Sequence, residues 1–184
     1  MFIQTEATPN PTTLKFLPGR PVLPEGVLDI PSPSEAVKSP LAERLFGVPG
    51  VAGVFLGSDF ITVTKADVEW QHIKPAILGA IMEHFISGAP VVNADTEDAG
   101  ADEFFDSKDA ETVAQIKELI ETRVRPAVAN DGGDITFRGF KDGIVFLHMQ
   151  GSCQGCPSST ATLKHGIQNL LRHFVPDVVE VRPI

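Results

Sequence analysis

Apolar positions along this chain change period several times, and each change marks an element. Near the start, Phe2-Ile3 and Leu14-Lys15-Phe16-Leu17 are short apolar alternations on either side of Thr8-Pro9-Asn10-Pro11, turn chemistry that predicts two antiparallel strands. A connection through Pro18, Pro21, Pro24, Pro31 and Pro33 follows. Ser39-Pro40-Leu41-Ala42-Glu43 then supplies an N-cap, a proline at the first helical position and an acidic first turn, predicting a short helix to about Phe46. Residues 51–56 and 60–64 are β-branched and aromatic runs split by Gly57-Ser58-Asp59, a hairpin pattern. Trp70, Ile73, Ile77, Ile81 and Phe85 recur at helical spacing, which predicts a helix with one apolar stripe on that sheet, Trp70 in the core and Pro75 in the first turn or at a bend.

The second half repeats the logic with different elements. Val113, Ile116, Ile120 and Val124 mark an amphipathic helix, with Asp109 and Glu111 near its start and Arg123 and Arg125 near its end, the polarity that the macrodipole favours. Asn130-Asp131-Gly132-Gly133-Asp134 stops it, with Asp131–Asp134 read as a helix-stop and strand-entry turn or as a segment whose backbone donors support metal-bound sulfurs. Strands over 135–140 and 144–149 are joined by Lys141-Asp142-Gly143, whose Asp-Gly pair suits a tight turn. Leu163, Ile167, Leu170, Leu171 and Phe174 return to helical spacing after Pro157, and a final strand over 178–181 can pair with the hairpin. The fold class is α/β of the α+β kind: two small domains, each a short, mostly antiparallel sheet packed against helices.

Charge sharpens the division. Residues 1–90 carry a net −3, 91–110 a net −6 and 111–184 a net 0, so most of the chain's −9 sits in the middle. That stretch is rich in small and like-charged residues without hydrophobic period, the composition of a solvated linker. The expected organisation is residues 1–90, an acidic linker over 91–108, and residues 109–184. An acidic chain without a basic stripe is a poor match to nucleic acid, whose phosphates require Lys and Arg. No apolar run approaches the ~20 residues that cross a bilayer, so no membrane association is expected.

The chain has two cysteines, Cys153 and Cys156, three positions apart in Gly151-Ser152-Cys153-Gln154-Gly155-Cys156-Pro157. Without a secretory signal this spacing points to metal or redox chemistry rather than to a disulfide framework. The helix predicted after Pro157 puts both at its N-terminus, where unpaired N–H groups and the macrodipole lower a thiol pKa. Three readings stand: two thiols without chemistry, a dithiol–disulfide centre of the thioredoxin kind, and a metal centre. Thiolate centres of zinc or iron–sulfur type take four ligands, so in the third reading a second copy of the chain supplies the missing two. His148, His165 and His173 show no ligand spacing with the pair and read as partly solvated residues.

Asp131-Gly132-Gly133-Asp134, the cysteine loop through Ser158-Ser159, and Thr162-Leu163-Lys164-His165-Gly166-Ile167 closely resemble the NifU-like (Nfu) C-terminal domain. Thr8-Pro9-Asn10-Pro11, Leu14-Lys15-Phe16, Ser39-Pro40-Leu41-Ala42 and the run from Val54 to Lys65 resemble the N-terminal domain of the same family. The resemblance implies a non-catalytic scaffold or carrier of iron–sulfur clusters. It implies that Cys153 and Cys156 from each of two subunits hold a labile [4Fe-4S] cluster in a cluster-loaded homodimer. The cluster would be received through upstream assembly proteins and passed to apo iron–sulfur proteins, with the N-terminal domain recognising partners or targets. Because the resemblance begins almost at Met1, with no room for a transit peptide, a cytoplasmic location is expected, as in a bacterial protein, with an already processed organellar protein as the alternative.

Overall fold

The computed structural model describes residues 1–93, 103–153 and 157–184, with backbone alone at 157–159. The chain divides into two compact units, Met1–Asp98 and Ala99–Ile184.

In the first unit, strands β1 (Gln4–Ala7) and β2 (Thr13–Leu17) pair antiparallel around the turn read from Thr8 to Pro11. Asn10 makes that turn: its Oδ1 accepts from Thr12 N–H at 3.1 Å and from the Thr12 hydroxyl at 2.7 Å, so the side chain stands in for a backbone acceptor. Strand β3 (Leu28–Ile30) and a 3-10 turn (Pro33–Lys38) lie inside the stretch read as a Pro-rich connection. Helix α1 (Pro40–Phe46) starts as predicted, with Ser39 Oγ accepting from Ala42 N–H at 3.1 Å. Strands β4 (Val51–Leu56) and β5 (Ile61–Lys65) form the expected hairpin, and α2 (Trp70–Ser87) follows. The sheet is antiparallel throughout in the order β1-β2-β5-β4-β3. Phe16, Ile30, Val54, Leu56, Ile61 and Val63 from the sheet meet Leu41, Leu45, Ile73, Ile77 and Ile81 from the helices in one core. Trp70 packs at the margin of that core, its indole N–H donating to the Pro11 carbonyl at 3.3 Å.

The second unit begins with a two-residue strand, β6 (Phe104–Phe105), within the stretch read as linker. The amphipathic helix predicted from Val113 is a longer rod: α3 (Ala110–Leu119), a π-helical turn (Ile120–Val124) and α4 (Arg125–Asn130). Val113, Ile116, Ile120, Val124 and Val128 are its buried stripe. Strands β7 (Gly133–Lys141) and β8 (Ile144–Gly151) pair antiparallel through a turn in which Asp142 (φ 53°) and Gly143 (φ 80°) are both left-handed, the conformation that an Asp-Gly pair tolerates. Helix α5 (Pro157–Phe174) carries the chain back so that β9 (Glu180–Pro183) joins β8 in parallel. β6 also joins β7 in parallel, giving the order β6-β7-β8-β9 around an antiparallel centre. Ile167 and Leu171 of α5 close the core over Ile135, Val145 and Leu147. Phe174, read as part of that stripe, is instead 45% exposed, with the Arg123 guanidinium 4.9 Å above its ring.

Among the described residues, no helix is long and apolar enough to cross a membrane. The described ends of the stretch read as linker belong to the two units. Asn93 N–H donates to the Lys38 carbonyl at 3.0 Å in the first, and Glu103 pairs with Lys117 at 2.7 Å in the second. The most acidic part, 94–102, lies outside the described residues.

Candidate functional site

The turn between α4 and β7 and the loop leaving β8 come together at one point. Register pairs Gly133 with Gly151 and Asp134 with Gln150, so the segment at 131–134 runs alongside the start of the cysteine loop. Ser152 ties the two: its N–H donates to the Gly132 carbonyl at 3.3 Å and its hydroxyl donates to the Asp131 carbonyl. The Cys153 sulfur then rests directly on Gly133. A Cβ at that glycine would stand 2.7 Å from the sulfur and 2.8 Å from the Gln150 carbonyl, closer than real side chains approach, so the seat requires glycine. From the other side, the Thr160 hydroxyl in the first turns of α5 donates to the Cys153 carbonyl at 3.1 Å.

Cys153 is 7% exposed and forms part of the second unit's core. The helix-terminus expectation for its thiol is therefore corrected. Burial pushes its pKa up, to about 11, the neighbouring Ser152 side chain partly offsets this, and the nearby Asp131 and Asp134 carboxylates add to the rise. Although Thr160 in the first turns of α5 reaches the Cys153 carbonyl, desolvation is the largest influence on the thiol and raises its pKa. Cys156, the other expected ligand, lies outside the described residues.

An ion-pair cluster that sequence reasoning missed stands beside the seat. Asp134, 3% exposed, accepts from Arg125 Nε at 2.8 Å and from its Nη2 at 2.9 Å; Nη1 donates to both oxygens of Glu121 at 2.7 and 3.0 Å. The Asp134 hydrogen bonds push the Arg125 guanidinium further above its ordinary range. The signal was present in the Asp134 that follows two glycines, but nothing in its spacing named Arg125 as the partner. The histidines are elsewhere: His165 and His173 are exposed on α5, and His148 is half-buried with Nδ1 3.3 Å from the Ile184 carbonyl. Among the described residues, no three His, Cys, Asp or Glu side chains converge on a possible metal position.

Comparison with known proteins covers both units. A family model described as scaffold protein Nfu/NifU N terminal matches residues 3–88, and one described as NifU-like domain matches residues 116–182. The human protein named NFU1 iron-sulfur cluster scaffold homolog, mitochondrial, is 52% identical over 186 residues, an alignment covering 100% of this chain and 72% of the human one. Arabidopsis thaliana NifU-like protein 4, mitochondrial, is 52% identical over 181 residues, covering 97% of this chain and 64% of that protein. This chain thus spans roughly two thirds of the length of such relatives. The solution structure of a NifU-like protein from Saccharomyces cerevisiae aligns at 30% identity with a TM-score of 0.46, covering 52% of this chain and 87% of that one. Both named relatives are mitochondrial, which overturns the cytoplasmic expectation. That expectation leaned on where the chain begins, and in a chain spanning part of its relatives' length the first residue carries no such information.

Proposed function

The chain belongs to the Nfu/NifU family of iron–sulfur cluster scaffold proteins, and from that premise we propose that it holds a [4Fe-4S] cluster between two copies of itself and hands it to apo-proteins. Cys153 and Cys156 are the ligands in this reading, two from each subunit, in the second unit, whose sheet takes in Phe104–Phe105 of the stretch read as linker, while the first unit recognises partners. Upstream assembly proteins load the cluster, and the protein performs no catalysis of its own.

The observation that carries the reading is the seat of Cys153. Its loop is tied to Asp131 and Gly132 and backed by Thr160, within the stretch matched by the NifU-like domain. Two thiols per chain against a cubane's four ligands supports sharing between subunits. A buried thiol must lose its proton to bind metal, so loading is pH-dependent and competes with the closed seat. A carrier benefits from that competition, because the free energy that closes the seat lowers affinity for the cargo and favours release.

Anaerobic reconstitution with iron and sulfide tests the proposal. The loaded protein is expected to show the visible absorbance of a thiolate-bound iron–sulfur cluster, and to activate an apo-[4Fe-4S] enzyme with a chelator present. Cys153→Ser is expected to lose both. An unchanged chromophore in Cys153→Ser would remove the site from consideration.

A further inference from the structure

Arg125 opens α4 and reaches across the turn to β7, nine residues ahead, where it grips both oxygens of Asp134. A carboxylate at 3% exposure is costly to desolvate and depends on such a partner. Asp134 is adjacent to Gly133, on which the Cys153 sulfur rests, and pairs with Gln150 two residues before Ser152. The fork thus fixes helix and strand at the two ends of Asp131-Gly132-Gly133, whose first two carbonyls hold Ser152. Glu121, by contrast, is an exposed carboxylate that meets the guanidinium through Nη1, not through the Nε and Nη2 that hold Asp134.

We infer that Arg125 is a positioning residue for Cys153: through Asp134 it holds the Gly133 seat closed around the sulfur of the unloaded chain. The importance of this for cluster handling rests on the scaffold reading; the closure itself does not. Loss of the fork leaves a buried carboxylate without its cation, and the turn opens more often. The sulfur is then reached sooner by reagents, and a bound cluster is lost sooner.

In a chain carrying Cys156→Ser, Cys153 is the one thiol, and its alkylation by iodoacetamide under native conditions reports opening of the seat. Arg125→Gln is expected to accelerate alkylation on the order of tenfold, by shifting a local opening equilibrium. Loss of the positive charge alone would disfavour the thiolate and slow the reaction, so acceleration reads opening. Arg125→Lys, which keeps charge without the bidentate fork, should fall between parent and Gln variant, and it carries the test if Arg125→Gln fails to fold. Glu121→Gln should stay within about twofold of the parent, because its contact is exposed. Ile167→Val opens a small cavity in the core that Cys153 shares but leaves the hydrogen bonds of the fork and of Ser152 in place, so it lowers stability and should keep the parent rate. In chains with both cysteines, Arg125→Gln should also speed cluster loss to a chelator. A parental alkylation rate in Arg125→Gln, or an equal rise in Ile167→Val, would overturn the inference. If the alkylation order holds while no variant takes up a cluster, the seat stands and the scaffold reading fails.

Discussion

Gly133 occupies a position where a side chain has nowhere to go. Gly133→Ala places a methyl against the Cys153 sulfur and the Gln150 carbonyl, so either the cysteine loop or the strand pair must move. Overpacking of this kind costs about 1–3 kcal/mol. The variant should melt at lower temperature than the parent by calorimetry, with Cys153 alkylated faster; an unchanged melting temperature would show that the seat is loose. At this scale the sequence was only partly legible. The two cysteines and the Asp-Gly-Gly-Asp run stood out because they break the hydrophobic period. The burial of Cys153 did not, because desolvation depends on what the fold lays over a residue, and the helix start downstream suggested the opposite shift. Arg125 read as a cation near a helix C-terminus, and its contact with Asp134 exists only once the turn brings β7 back beside α4.

Among the elements, α2 contains the first unit's clearest departure from amphipathic expectation. His84 is fully buried within a helix whose other buried residues are isoleucines. Burial holds its pKa below the usual 6.5, the Arg44 charge lowers it further, and the Ala89 backbone partly offsets both. Because the folded value is depressed, the folded unit keeps the ring neutral while the unfolded chain takes up a proton below about 6.5. The stability from neutral His84 is therefore fully present above that pH and is lost as pH falls through the folded value. The first unit should show a falling melting temperature from pH 7 to 5, with a shallower slope in His84→Leu. Parallel slopes would mean that His84 does not control it. Elements with at least five residues and a clean period, such as α1, the β4–β5 hairpin and α5, were legible from pattern alone. β3 and β6 were not. Three and two residues are too few to show alternation, and β6 is held by pairing with Gly139 and Phe140, contacts more than thirty residues away. The π-helical turn was equally hidden, because Val113, Ile116, Ile120, Val124 and Val128 keep an ordinary helical spacing across it.

For the whole molecule, the composition shift at the acidic middle anticipated two folded parts, each with its own sheet and core. Pattern could say that each sheet has helices against it, but not that the second joins its outer strands in parallel, since direction depends on the path of α5 and of the segment before α3. The relatives' names supply the scaffold role, and the chain's own residues supply the arithmetic behind its form: two thiols, no convergent histidine or carboxylate set among the described residues, and four ligands required. The proposal that the cluster is shared follows from that shortfall, and stoichiometry tests it most directly. Iron, acid-labile sulfide and native mass should be measured together on the anaerobically reconstituted chain. The account predicts a dimer carrying about four irons and four sulfides, as four-cysteine ligation of one cubane requires; a monomer that binds the full cluster would contradict it.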